Sequence, residues 1–229
     1  MTDALVVSEV FGPTFQGEGA SLGRRAGFVR LGRCNLTCAW CDSRYTWDWA
    51  EHDPDRELTS WSVETLLRQL EGMSVDLVVV TGGEPLLQQR ALVPLLEGCR
   101  ERGWDVEVET NGTIRPSVSD GLVTRWNVSP KLANADVPAE RRLRPEVLAS
   151  FQATGRAVFK FVVASPAELD EVAAIVEQGG LGPVWVMPEG TDEATVSARL
   201  RALAEPVTAR GWNLSTRLHV LIWGDRRGV

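Results

Sequence analysis

The sequence predicts an α/β fold: an open, partial (β/α) barrel of about six mostly parallel strands, formed by residues 1–229 as a single domain. Three observations predict it. Apolar strand-like runs alternate with amphipathic helical stretches, and the connections are long enough for right-handed parallel crossovers. The unusual turn sequences all follow the carboxyl ends of strands, where parallel β/α sheets carry their sites. About six core strands are too few to close an eight-stranded barrel.

Taken in order, residues 4–11 read as a first strand, followed by a loop from Gly12 to Gly19 that holds Gln16 and Glu18. Both side chains can serve as ordinary turn residues or can read the donors and acceptors of a heterocycle. Residues 26–32 form a second strand. Period-two alternation puts Arg30 on the face of Phe28, where it points to solvent or grips a carboxylate bidentately. From Ser62, Val63, Leu66, Leu67 and Leu70 repeat with helical spacing, and Gly72 reads as the stop. Leu77–Val80 is apolar on both faces, as suits a buried parallel strand, and runs into Thr81-Gly82-Gly83-Glu84-Pro85. The helix that follows places Leu92, Leu95, Leu96 and Cys99 on one stripe, so Cys99 reads as a core residue.

Further strands are expected over 104–110, ending in Glu109-Thr110-Asn111-Gly112, and over 125–128, ending in Ser129-Pro130-Lys131. Two more cover 157–163 and 183–187, the last ending in Met187-Pro188-Glu189-Gly190. Ser165, Pro166 and Glu168 have the pattern of a capped helix start. A last helix is expected from about Thr191, with Pro206 as a kink or break. The apolar run 218–223 closes the chain, and His219 lines the site's mouth or packs in a strand.

Composition excludes several classes. The net charge is −7 and the pI near 5.0, which argues against a nucleic-acid footprint. No apolar stretch approaches the roughly 20 residues of a membrane span. Met1-Thr2-Asp3 leads into a strand-like run without a basic signal-peptide start. Three of four cysteines cluster, which suits reduced thiols and a cytoplasmic location rather than a disulfide framework.

Those three, Cys34, Cys38 and Cys41, have C-x3-C-x2-C spacing with Trp40 before the last. Zinc sites close with four ligands, which here would need His52 or Cys99. A four-iron cluster held by three thiolates instead leaves one iron open for chemistry.

With Phe11-Gly-Pro-Thr-Phe-Gln-Gly-Glu-Gly19 and Phe28-Val-Arg-Leu-Gly-Arg-Cys-Asn-Leu-Thr-Cys-Ala-Trp-Cys-Asp42 in view, most of the chain resembles the 7-carboxy-7-deazaguanine synthase family of radical S-adenosylmethionine (SAM) enzymes. The resemblance implies a radical SAM type of partial barrel and a lyase of queuosine and deazapurine biosynthesis. Such a lyase converts 6-carboxy-5,6,7,8-tetrahydropterin to 7-carboxy-7-deazaguanine with loss of ammonia, using SAM as a renewable cofactor. It implies a 4Fe–4S cluster on Cys34, Cys38 and Cys41. It implies SAM beside Trp40, Cys41, Asp42, Gly83, Ser129, Pro130, Lys131 and the turn Met187, Pro188, Glu189 and Gly190. Phe15, Gln16, Gly17, Glu18, Arg30 and Thr81 would hold the substrate. Mg2+ would sit at Ser43, where many members have threonine; a serine hydroxyl also suits a hard cation. A flavodoxin- or ferredoxin-type electron donor and a homodimer are implied as well. The chain departs from the family in ending Gly228-Val229, without the substrate-contacting proline of some members.

Two other readings stand beside this one. Another radical SAM enzyme, such as a glycyl-radical activase, would have less use for the Gln-Gly-Glu-Gly loop and Arg30. A non-catalytic metal or electron-transfer protein would be expected to carry four cysteine ligands and leaves the glycine-rich strand ends without purpose.

Overall fold

The computed structural model describes residues 4–117 and 121–229; the reading of Met1-Thr2-Asp3 lies outside them. In chain order the strands are β1 (Ala4–Phe15), β2 (Arg25–Leu31), β3 (Thr59–Ser62), β4 (Leu77–Gly82), β5 (Asp105–Thr110), β6 (Arg125–Val128), β7 (Ala157–Val163), β8 (Val184–Pro188) and β9 (Asn213–Leu214). The helices are α1 (Pro54–Glu57), α2 (Val63–Met73), α3 (Gln89–Glu101), α4 (Ala139–Arg142), α5 (Pro145–Gln152), α6 (Leu169–Gly179), α7 (Glu193–Ala209) and α8 (Leu218–Trp223).

Among the described residues the strands form one open sheet in the order β3-β1-β2-β4-β5-β6-β7-β8-β9. From β2 to β9 every pairing is parallel, whereas β1 pairs antiparallel with both β2 and β3. The fold is therefore the expected open α/β barrel, extended by an antiparallel edge.

Strand alternation sorts the two faces. Val78, Val80, Val106, Val108, Trp126, Val128, Phe159, Phe161 and Val163 pack outward into the main core beneath the helices. α2 and α3 reach that core through Leu66, Leu70, Leu92, Leu95, Leu96 and Cys99, all essentially inaccessible. Between the outward residues lie Thr81, Glu107, Glu109, Asn127 and Lys160, which face the interior. Near the base of this inner face, Ala26, Phe28, Leu77 and Val79 form a small separate apolar cluster.

Several expectations are corrected. β1 runs on to Phe15, because Thr14 pairs with Ala26 and Phe15 with Arg25 after a register shift that absorbs Gly12-Pro13. α2 passes through Gly72 and ends at Met73, with Ser74 in the left-handed conformation, while the Ser62 hydroxyl caps the helix by accepting from Thr65 N at 3.2 Å. Ser165 makes no side-chain cap; a 3-10 turn, Pro166–Glu168, precedes α6, and Glu168 accepts from Ala164 N at 2.7 Å. Asp192 opens α7, accepting from Thr195 N at 2.9 Å. Pro206 does not break that helix, which continues far enough to bury Val207. The run 218–223 is a helix; a short apolar run has no periodicity long enough to distinguish the two.

Candidate active site

One cavity opens at the carboxyl ends of the strands. It is lined by the loop after β1, the cysteine loop after β2, the turns after β4, β5, β6 and β8, and the start of α8.

The cysteine loop is held on both flanks. Ala39 N donates to Ala135 O at 2.9 Å, and Asn35 Nδ2 donates to Thr113 Oγ1 at 2.8 Å. Beneath it Gly82 has φ +144°, which favours glycine, and a Cβ on Gly83 would run into Arg33 O and Cys34 Cβ. The glycine pair thus lets the cysteine loop lie directly on the end of β4.

Cys34, Cys38 and Cys41 all face the cavity. Leu36 N donates to Cys34 Sγ at 3.4 Å and Trp47 Nε1 to Cys41 Sγ at 3.3 Å, the N–H···S contacts that suit cluster ligands. Burial pushes the Cys34 thiol up to about 12, with Glu84, Cys38 and Cys41 adding to it; coordinated iron offsets such a cost by taking the place of the proton. Neither suggested fourth zinc ligand joins them. Cys99 is sealed in the main core, and the His52 ring packs edge-on to Tyr45 at 6.3 Å. Three thiols and an open side toward a cavity fit a four-iron cluster.

Around the thiols, Trp40, Asp42 and Ser43 also line the cavity, as do Gly83, Ser129, Lys131, Met187 and Glu189. Lys131 Nζ donates to Ser129 Oγ at 2.9 Å and lies 5.3 Å from the Trp40 ring centroid. Trp40 Nε1 donates to Asn134 Oδ1 at 3.0 Å. Ser43 is buried, its Oγ 3.7 Å from Cys41 Sγ. Pro130, Pro188 and Gly190 stand in the same turns but do not line the cavity; Gly190 offers its carbonyl to Arg217 at 2.6 Å.

Across the cavity stand Phe15, Gln16, Gly17, Glu18 and Thr81. Gln16 Nε2 and Thr81 Oγ1 donate to the two oxygens of Glu109, at 3.1 and 2.7 Å. Gly17 is required by His219, whose Nδ1 occupies the place of a Cβ. Glu18 forms ion pairs with Lys160 and with Arg217 Nε, the latter at 3.1 Å. Burial raises the Glu18 pKa, but Lys160, Arg217 and His219 outweigh it and hold the carboxylate well below its usual range. The surrounding protein opposes ionisation of Asp42 too, yet Arg217 keeps it charged, although its side chain is 41% exposed.

Arg30 does not line the cavity. Its Nε donates to Glu9 Oε2 at 3.1 Å and its guanidinium lies 5.5 Å from the Phe11 ring centroid. It remains in register with Thr81 on the neighbouring strand. Glu9 is shared with Arg227, which also bonds Glu57 Oε2 at 2.7 Å and lies over Tyr45. This clamp fixes the tail, and Val229 reaches the cavity.

Sequence reasoning missed Asn127, Lys160 and Arg217 and placed Glu109 only within a strand-end turn, with no role of its own; all four are on the cavity wall. Lys160 carried a signal as the one polar residue of an otherwise apolar strand, and Glu109 and Asn127 carried one as members of the polar face of alternating strands. Arg217, between a two-residue strand and a short helix, carried none. His219 does line the cavity.

The Radical SAM superfamily model matches residues 29–146, which sets the class of this fold and site. The chain is 37% identical to the 7-carboxy-7-deazaguanine synthase of Pyrobaculum aerophilum, over 99% of this chain and 98% of that protein. It is 36% identical to the enzyme of the same name from Hyperthermus butylicus, over 97% and 94%. The crystal structure of QueE from Escherichia coli matches with a TM-score of 0.73 at 27% identity, over 94% of this chain and 95% of that one. The chain belongs to the 7-carboxy-7-deazaguanine synthase family of the radical SAM superfamily.

Proposed function

We propose that the protein is a radical SAM lyase that converts 6-carboxy-5,6,7,8-tetrahydropterin to 7-carboxy-7-deazaguanine, with loss of ammonia, in the cytoplasmic synthesis of queuosine or related deazapurines. The observation that carries this is a single cavity with three thiols on one wall and Gln16, Glu18 and Glu109 on the other. A 4Fe–4S cluster with SAM would supply the radical chemistry, and Cys34, Cys38 and Cys41 are the residues that would hold it.

The chain's own residues bind, orient and exclude water. Trp40, Asp42, Gly83, Ser129, Lys131, Met187 and Glu189 would surround SAM, with Pro130, Pro188 and Gly190 shaping the turns that carry them. Glu18, kept anionic by Lys160 and Arg217, accepts from the N–H donors of the pterin ring, and Gln16, Thr81 and Phe15 complete that wall. Arg30 grips the substrate carboxylate after exchanging its Glu9 partner, and the buried Ser43 hydroxyl gives Mg2+ an oxygen ligand. Fixing the orientation of one substrate C–H bond would be the protein's main contribution. A flavodoxin- or ferredoxin-type protein would supply the electron, and the working unit would be a homodimer.

The test is an anaerobic assay on cluster-reconstituted protein with SAM, Mg2+, reductant and the tetrahydropterin. Formation of 7-carboxy-7-deazaguanine by the native protein and not by Cys38→Ala is the expected result. SAM cleavage without that product would move the substrate to another class, such as a protein that receives a glycyl radical.

A further inference from the structure

Arg217 stands between β9 and α8, far from every motif in the sequence, yet it touches three ligand-facing segments at once. Its Nε donates to Glu18 Oε1 at 3.1 Å and its Nη1 to Gly190 O at 2.6 Å, while Nη2 pairs with Asp42. Nη2 also lies 3.4 Å from His219 Nε2. The residue is 7% exposed. Glu18 belongs to the loop after β1, Asp42 to the cysteine loop and Gly190 to the turn after β8. Among the described residues no backbone hydrogen bond joins these three segments to one another.

A guanidinium holds its donors in one rigid plane, so acceptors bound to it are fixed relative to one another. Glu18 and Asp42 are also like charges that would repel without the cation between them. Lys160 neutralises Glu18 from its other side but forms no hydrogen bond or ion pair with Asp42 or Gly190. The Arg217 guanidinium therefore passes a shift of Asp42 or of the Gly190 carbonyl directly to Glu18.

We propose that Arg217 is a positioning residue that couples the two halves of the cavity, so that SAM and a carboxylated pterin each tighten the other's binding. The inference rests on the assignment of Glu18 to the substrate and of Asp42 and Gly190 to SAM. A coupling of this kind is reciprocal: each ligand improves the other's affinity by the same factor.

The test is equilibrium binding to the full-length, cluster-reconstituted protein without reductant, so that no turnover occurs. The affinity for 6-carboxy-5,6,7,8-tetrahydropterin is measured with and without saturating SAM. The native protein is expected to bind the pterin about tenfold more tightly with SAM. In Arg217→Lys, which keeps the charge but not the fork, this ratio is expected to fall to about one, and the reverse experiment on SAM should lose the same factor. Asp42→Asn, which cuts the strut at a partly exposed group, should do likewise, and it carries the test if Arg217→Lys does not fold. A purely structural Arg217 would lower the melting temperature and leave the ratio intact; an intact ratio in either variant overturns the proposal. Native protein that binds the pterin equally with and without SAM overturns the coupling but not the substrate. No pterin binding under either condition sinks the substrate assignment and the inference together.

Discussion

The Glu84 carboxylate accepts the backbone N–H of Asn111 at 2.7 Å. It also takes the Leu86 N–H at 3.0 Å and the Thr110 hydroxyl at 2.9 Å, and is wholly inaccessible to solvent. One side chain thus fastens the turn after β4 to the turn after β5, and so sets the floor on which the cysteine loop rests. In Glu84→Gln one oxygen becomes an NH2 group facing a donor. A loss of about 1–3 kcal/mol is expected in denaturant unfolding, together with weaker SAM binding by equilibrium dialysis. Unchanged stability would mean that another acceptor serves these donors.

Gly83→Ala places a methyl group against Arg33 O and Cys34 Cβ, so the first cysteine must move. Iron and sulfide per chain after reconstitution should fall well below the native value. Gly72→Ala is the control. Its Cβ meets nothing, it lies inside α2, and it is expected to stabilise by up to about 1 kcal/mol.

The cysteines should separate cleanly by role. Cys38→Ala is expected to lose the visible cluster absorption. Cys99→Ala should retain it while lowering stability by about 1 kcal/mol, since it only shortens a core side chain. Cluster loss in Cys99→Ala would reopen its role as a ligand.

His219 gives the protein a pH dependence of defined sign. Burial lowers its pKa below the usual 6.5, with Glu18 opposing and Arg217 assisting. The unfolded chain therefore binds the proton more readily than the folded one. Its contribution is fully present above about pH 6.5 and declines as pH falls through the depressed folded value. Melting curves of native protein and His219→Gln should accordingly diverge most above that range and converge on mild acidification. Parallel curves would show that His219 has the same affinity for protons in both states.

The sequence by itself determined the parallel core, the cysteine loop and the glycine-rich turns. These features are local: period-two apolarity marks a strand, cysteine spacing marks a ligand set, and glycine permits close backbone approach. It also contained Lys160 as a break in strand apolarity and Glu109 and Asn127 on the polar side of alternating strands, although their shared direction emerges only when the strands lie side by side. The tertiary structure alone decided which charges meet. Arg217 reaches Glu18 across 199 residues of chain, and Arg227 reaches Glu9 across 218. Arg30 is turned to Glu9 by the antiparallel edge, a pairing that strand alternation does not specify. Local periodicity fixes the face on which a side chain lies; its partner on that face depends on how the whole sheet curves and where the last helix returns.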